Sequence, residues 1–363
     1  MALDLDQRPI LVFWEATKAC ALACRHCRAE AQGVAAPGEL DDDEATALVD
    51  SLAEFGMPRP VLVATGGDVL ERRGLDRVLD RAAEKKVTVA LAPSVTPRLT
   101  DERVAELAAR GIKIASLSLD GAEPATHDGV RGIPGHHAET LAAIRLLRRH
   151  GITVQVNTVV MRETVEELPT IVRLVREAGA SVWEVFFLVH VGRGSVLGDL
   201  GPAENEDVCN FLVDASHYGL IVRTVEAPFF RRVLAQRNAG IVPATGPLYE
   251  RLAARLHEEL GPPLGESKAQ TKGTRDGRGI IFVGHDGTIQ PSGFLPLALG
   301  NVREESLARV YREHPLLRRI RSAEFGGRCG TCDFRELCGG SRARAFAATG
   351  DPLAADPGCL LAA

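Results

Sequence analysis

Three cysteines, Cys20, Cys24 and Cys27, fall at three-then-two spacing behind the apolar run 10–14 and the turn residues 15–19. At the end of a predicted strand, a loop of this length can turn three thiolates towards three corners of an iron-sulfur cube, and no fourth cysteine lies nearby. One iron is then left open to a small-molecule ligand, whereas a four-cysteine site is closed and holds structure or passes electrons. The same residues also allow a zinc site, with His26 or a distant side chain as fourth ligand, or three unrelated thiols. Zinc motifs usually pair two Cys-x2-Cys knuckles, which this spacing does not.

Four more cysteines, Cys329, Cys332, Cys338 and Cys359, are enough to close a second site around a cluster or a zinc ion. Seven of the eight cysteines thus fall into two groups in a large chain without an export signal, which favours metal over disulfides. Cys209 stands alone and reads as a small buried hydrophobe. A net charge of -5 supplies no basic field for nucleic acid or anionic lipid. No apolar run approaches the length of a membrane span and the first six residues lack a basic start, so a cytoplasmic protein is expected.

The elements that must position these residues are legible as hydrophobic periodicity. From residue 9 to about 190, short β-rich runs alternate with helical patterns every thirty residues or so. Strands are predicted at 61–65, 87–91, 112–119, 153–160 and 182–189. A helix at 41–55 opens on acidic residues and stops at Gly56; others carry Leu75, Val78, Leu79 and Ala82, or Leu168, Ile171, Val172 and Val175, on one face. Two more span 100–110 and 137–150. Six such units predict an α/β fold, an incomplete (β/α)6 TIM-like barrel.

Parallel βα folds bind ligands at the C-terminal ends of their strands. Gly66, Gly67 and Asp68 follow strand two, Ser118 and Asp120 end strand four, Asn157 lies in strand five, and His190 and Arg193 follow strand six, all towards one rim. Each has a plainer reading: a βα turn for the glycines, a helix cap for Asp120, surface ion pairs for His127, Asp128 and Arg131, backbone pairing for Asn157. Arg193 can clamp a carboxylate bidentately or sit as a solvated loop charge beside His190.

Beyond 201 the rhythm fades. A helix at 207–218 and the run 220–225 precede a poorly determined connector, 226–275, in which 229–233 and 248–260 are read as helices covering the barrel mouth and 261–277 as a mobile loop. A hairpin at 279–291 turns at Asp286-Gly287, a short helix follows at 306–311, and the cysteine-rich tail ends the chain. The expected division is 1–225, 226–275 and 276–363.

Cys-x3-Cys-x2-Cys after a first strand resembles the radical S-adenosylmethionine (SAM) enzymes, whose open iron takes the amino and carboxylate groups of SAM. Gly66-Gly67-Asp68 is similar to that family's Gly-Gly-Glu motif, with aspartate for glutamate and Val69 where proline is often found. The resemblance implies strand-end carbonyls facing the SAM amino group, Ser118 or Asp120 facing its ribose or carboxylate, Asn157 bonding it, and Arg193 meeting the SAM carboxylate or a substrate acid. The hairpin and tail resemble the SPASM or twitch extension of many such enzymes. Cys329, Cys332, Cys338 and Cys359 match the ligands of its outer cluster, while Ser292 and Arg342 stand where inner-cluster cysteines are expected. One auxiliary 4Fe-4S cluster is therefore implied.

The tail, the hairpin exit 291–296 with 300–303, and the stretch 183–188 resemble the branch of alternative haem and nitrite-reductase haem biosynthesis. That branch implies reductive cleavage of SAM to a 5′-deoxyadenosyl radical, hydrogen abstraction, and oxidative modification of a tetrapyrrole propionate, with the auxiliary cluster as electron acceptor. It also implies a small-molecule or peptide substrate and a reduced flavodoxin- or ferredoxin-type donor. Alternatives are a peptide maturase, for which no leader-binding domain is expected since strand one begins by residue 10, a sugar or cyclitol dehydrogenase, and a non-catalytic iron-sulfur scaffold or redox sensor.

Overall fold

A computed structural model describes residues 4–241, 244–271 and 273–362. Three residues of the N-terminal stretch used above to exclude an export signal, and 242, 243 and 272 of the connector, lie outside the described residues. Seven strands run parallel in chain order: β1 (Leu11–Glu15), β2 (Val61–Thr65), β3 (Val89–Leu91), β4 (Ile114–Ser118), β5 (Thr153–Val160), β6 (Val182–Phe187) and β7 (Ile221–Val225). The run 220–225 thus supplies a seventh strand to the six expected. From the C-terminal part, β8 (Ile280–Val283) returns to pair parallel with β1, and β9 (Thr288–Gln290) and β10 (Gly300–Asn301) follow antiparallel. The result is one open sheet, β10-β9-β8-β1-β2-β3-β4-β5-β6-β7.

Strand chemistry explains why the barrel is not filled. Along β5, Val154, Val156, Thr158 and Val160 are buried while Gln155, Asn157 and Val159 are less so, and β4 alternates likewise between Ala115, Leu117 and Ser116, Ser118. With side chains pointing to opposite faces in turn, the aliphatic set packs on the helices and the small polar set looks into the barrel. The interior is therefore a cavity with hydrogen-bonding walls instead of layers of branched side chains.

The helical layer is α1 (Asp42–Ser51), α2 (Leu75–Glu84), α3 (Asp101–Ala109), α4 (Pro124–Arg131), α5 (His136–Arg149), α6 (Leu168–Ala178) and α7 (Pro202–Ala215). Asp41 and Glu44 form a reciprocal capping box at the start of α1. On α6, Leu168, Ile171, Val172 and Val175 are fully buried, contributing about 2 kcal/mol each.

Helices α8 (Phe230–Asn238) and α9 (Pro247–Leu260) form where the connector was read as helical. Their place differs from expectation. Helix α9 buries Leu248, Leu252 and Leu256 against α6 and α7, in the outer layer and away from the mouth. An apolar face repeating every three to four residues specifies burial and not the partner, so the sequence left this open. The stretch after α9, read as a mobile loop, runs along the free edge of β7: Gln270 N–H donates to Val222 O at 2.9 Å. The chain ends through α10 (Leu307–Glu313), α11 (Pro315–Arg321), α12 (Gly327–Gly330) and α13 (Arg342–Thr349). Among the described residues no helix is long and apolar enough to cross a membrane.

Candidate functional site

The loop after β1 is held against the end of β2 by backbone alone. Gly67 N–H donates to Thr17 O and Asp68 N–H to Ala19 O, each at 2.7 Å. A Cβ at Gly67 would lie 2.3 Å from Ala19 O, and one at Gly66, where φ is +141°, 2.3 Å from Thr17 O. Both positions therefore require glycine for the close approach of two chains. Pinned this way, Cys20, Cys24 and Cys27 line a cavity of about 220 Å³ at the strand ends. Each sulfur takes a hydrogen bond: Leu22 N–H to Cys20 at 3.3 Å, Ala31 N–H to Cys27 at 3.5 Å, and the Arg131 guanidinium to Cys24 at 3.5 Å.

Arg131 comes from α4, together with His127. Both are buried, which corrects the surface-ion-pair reading of these residues; Asp128, nearer the surface, caps the next helix by accepting Gly135 N–H at 2.5 Å and His137 N–H at 2.8 Å. Asp120 anchors the group. Its Oδ2 accepts from Arg131 and lies 2.9 Å from His26 Nε2, while Oδ1 accepts Val159 N–H at 2.8 Å. Burial works to raise this carboxyl, but Arg131 and His26 outweigh it and hold it well below the usual range.

A chain of neutral imidazoles stands behind. Asp120 N–H donates to His127 Nδ1 at 3.1 Å, so the proton of His127 sits on Nε2, 2.9 Å from His136 Nδ1; His136 in turn donates from Nε2 to Val95 O at 3.0 Å. Burial, then Arg131, push His127 down to about 3 and His136 below its ordinary value. One tautomer satisfies the whole chain only if both rings are uncharged.

Ser118, Asp120, Asn157, Gly66, Gly67 and Arg193 all line the cavity. Asn157 accepts from Gln155 Nε2 at 2.9 Å, which leaves its amide nitrogen available. Arg193 reaches back over the cysteine loop, donating from Nε to Cys24 O and from Nη1 to Ala31 O, both at 2.9 Å, while Nη2 is buried with no partner among the described residues. His190 is exposed, bonds Leu197 O at 3.2 Å and does not line the cavity. Asp68 is buried beside it: its carboxylate takes Leu70 N–H, Ser94 N–H and the Thr96 hydroxyl, bracing the loop after β3, and burial raises it.

His26, considered in the sequence only as a fourth zinc ligand, lines the cavity with Nε2 turned to Asp120. Other lining residues were not singled out from the sequence. Arg28 spans from Glu15 at 3.4 Å to the ring of Phe282, 4.7 Å from its centroid, and donates to Gly293 O, while Phe294, just beyond the C-terminal hairpin, lines the cavity beside it. Nothing local marks Ser94, whose hydroxyl lies 3.6 Å from the Cys20 sulfur.

Cys329, Cys332, Cys338 and Cys359 line a second, much smaller cavity of about 20 Å³, too confined to admit a substrate. Phe334 N–H donates to the Cys332 sulfur and Asp356 N–H to that of Cys329, both at 3.4 Å. Gly339 and Gly340 have φ of +75° and +63°, and a Cβ at Gly340 would stand 3.1 Å from the Cys329 sulfur. An all-sulfur donor set in a glycine cradle suits a soft metal centre. Among the described residues no three His, Cys, Asp or Glu side chains converge for a single metal ion. Four thiolates about one zinc at about 2.3 Å would have to crowd more tightly than thiolates at the outer corners of a cube. Ser292 and Arg342 are both buried, the former with its hydroxyl on Phe294 N–H.

The Radical SAM superfamily profile matches residues 14–175. The AdoMet-dependent heme synthase of Nitratidesulfovibrio vulgaris (strain Hildenborough) is 34% identical over 353 residues, 96% of this chain and 91% of that protein. A protein of the same name from Methanosarcina barkeri (strain Fusaro) is 34% identical over 99% of this chain and 98% of its own length. Among solved structures, Streptococcus suis SuiB bound to S-adenosylmethionine superposes with a TM-score of 0.71 at 16% identity, covering 98% of this chain and 78% of SuiB, a likeness of fold.

Proposed function

Because the chain belongs to the radical SAM superfamily, an enzyme family that uses SAM with a 4Fe-4S cluster, we propose that it oxidatively decarboxylates propionate side chains of an iron tetrapyrrole. The observation that carries the chemistry is the cavity itself, lined among the described residues by three thiols and no fourth, by glycine backbone, and by Arg193 with one terminal nitrogen unpartnered there. Whole-length similarity to two proteins named heme synthase supports the substrate class.

In this reading Cys20, Cys24 and Cys27 would hold a 4Fe-4S cluster, and the cavity they line would take SAM. When bound, the pair supplies a 5′-deoxyadenosyl radical that takes a substrate hydrogen atom. The chain positions and shields. Gly66 and Gly67 bring strand-end carbonyls up to the SAM amino group, Arg193 Nη2 meets a carboxylate, and Ser118 and Asn157 offer hydrogen bonds to the ribose. Asp120 keeps His26 and Arg131 in place. Loss of hydrogen from the propionate β-carbon leaves a radical that expels carbon dioxide and one electron, giving a vinyl group. Cys329, Cys332, Cys338 and Cys359 would hold one auxiliary 4Fe-4S cluster, which would offer an acceptor for this electron. Residues 1–225 carry the SAM chemistry, 276–363 the auxiliary site, and 226–275 connect them; a reduced flavodoxin or ferredoxin supplies the starting electron in the cytoplasm.

The test is anaerobic incubation of the reconstituted protein with SAM, reductant and iron coproporphyrin. Formation of 5′-deoxyadenosine together with loss of carboxyl mass from the porphyrin, both abolished by Cys24→Ala, is the expected result. Cleavage of SAM over an unchanged porphyrin would exclude this substrate, and no cleavage with the cluster present would exclude the reaction.

A further inference from the structure

Three arginines crowd the four-cysteine site, and among the described residues none of their guanidinium groups pairs with a carboxylate. Arg342, Arg275 and Arg231 are 0%, 6% and 9% exposed. Arg342 donates to Gly340 O, Pro352 O and Ala354 O, and its Nη2 lies 3.8 Å from the Cys329 sulfur. Its guanidinium is fixed over the Phe325 ring, 4.5 Å from the centroid, and that of Arg275 lies 5.4 Å from the same ring. Arg275 donates to Glu336 O and Ile320 O, and Arg231 to Thr271 Oγ1, Leu337 O, Cys338 O and Thr274 O. Apart from the Cys329 sulfur, every hydrogen-bonding partner of these three guanidinium groups among the described residues is neutral; the one buried carboxylate beside them, Asp276, accepts the backbone N–H groups of Arg342 and Ala343, both at 3.1 Å. Their neighbours are handled differently: Arg232 pairs with Glu206 at 2.5 Å and Arg344 with Asp356 at 3.1 Å.

Buried charge without a counter-charge is strongly unfavourable. Asp276 sets one carboxylate against three guanidinium groups, and burial pushes the nearby Glu226 carboxyl up; the rest of the negative charge comes from the thiolates of the site the arginines surround. A cluster on four thiolates is anionic and gains a further negative charge on reduction, so fixed positive charge beside it stabilises the reduced form more than the oxidised one. A charged donor to a ligand sulfur acts in the same direction.

We propose that Arg342, with Arg231 and Arg275, forms a buried cationic collar that raises the reduction potential of the auxiliary cluster and so makes it an electron acceptor. This rests on the auxiliary cluster of the preceding reading. Arg342 occupies a position that would otherwise offer a ligand; here it supplies charge to the cluster's own sulfur.

The test uses the full chain carrying Cys20→Ala, Cys24→Ala and Cys27→Ala, so that only the four-cysteine site can hold iron. Iron and sulfide content are measured first, then the midpoint by anaerobic redox titration followed by electron paramagnetic resonance. Adding Arg342→Gln is expected to lower the equilibrium constant for reduction at least tenfold, about 59 mV for one electron. Arg342→Lys, which keeps the charge, lowers it less. Should the glutamine variant fail to retain the cluster, Arg231→Gln is read in its place, with the same direction expected. An unchanged midpoint in a variant that retains its cluster overturns the proposal, as does loss of the cluster from all three variants, which would make the arginines structural. Absence of iron and sulfide from the parent triple variant overturns the auxiliary-cluster reading itself.

Discussion

His26 Nε2 lies 2.9 Å from Asp120 Oδ2, joining the interior of the cysteine motif to the end of β4 across ninety-four residues of chain. The same carboxylate oxygen accepts from Arg131, whose other terminal nitrogen reaches the Cys24 sulfur. One fully buried aspartate therefore sets the position of two groups that line the cavity beside Cys20, Cys24 and Cys27.

Asp120→Asn keeps the shape and removes the charge, leaving Arg131 buried without its counter-ion. Removing one partner of a buried pair costs about 3 kcal/mol or more. Anaerobic chemical denaturation is expected to show a loss of this size, together with slower 5′-deoxyadenosine formation; an unaltered transition would mean that Asp120 is not the anchor described here.

Gly67→Ala places a methyl group where Ala19 O stands 2.3 Å away. The cysteine loop must then lift from β2. Iron per chain is expected to fall towards that of the triple cysteine variant, since the four-cysteine site is untouched. Iron content equal to the unmodified chain would show that the two backbones can separate without cost.

The imidazole chain makes the fold acid-sensitive. His127 is held at about 3 against an ordinary 6.5, so as pH falls below 6.5 the unfolded chain takes up a proton that the folded chain refuses, and stability is lost down to about pH 3. Between pH 6.5 and 5 the loss from His127 alone is about 2 kcal/mol. His127→Gln, which cannot take up the proton, should flatten that part of the stability curve, with the His136 contribution remaining; equal slopes in the two proteins would contradict the neutral-ring assignment.

Arg193→Lys retains a cation and loses the fork that grips Cys24 O and Ala31 O. Lysine does not replace a multidentate arginine. SAM affinity, measured by equilibrium binding to the reconstituted protein, is expected to weaken about tenfold, close to 1.4 kcal/mol. Unchanged binding would place the SAM carboxylate elsewhere.

Both cysteine groups, the alternation of strands and helices, the acidic helix start at Asp41 and the hairpin at Asp286-Gly287 were legible in the sequence by itself. They rest on short-range spacing, and a turn, a cap or a set of ligands within one loop needs few neighbours to be recognised. The tertiary structure alone decided that His127 and Arg131 face inward, because an eight-residue helix presents the same pattern to solvent or to a core until something packs on it. It alone placed α9 in the outer layer, joined β8 to β1, and brought Arg193 onto a loop far earlier in the chain. The charge balance of the auxiliary site belongs with these. Arg231, Arg275 and Arg342 lie on separate segments of the chain, and only folding sets the three around the same four sulfurs with a single buried carboxylate, Asp276, beside them.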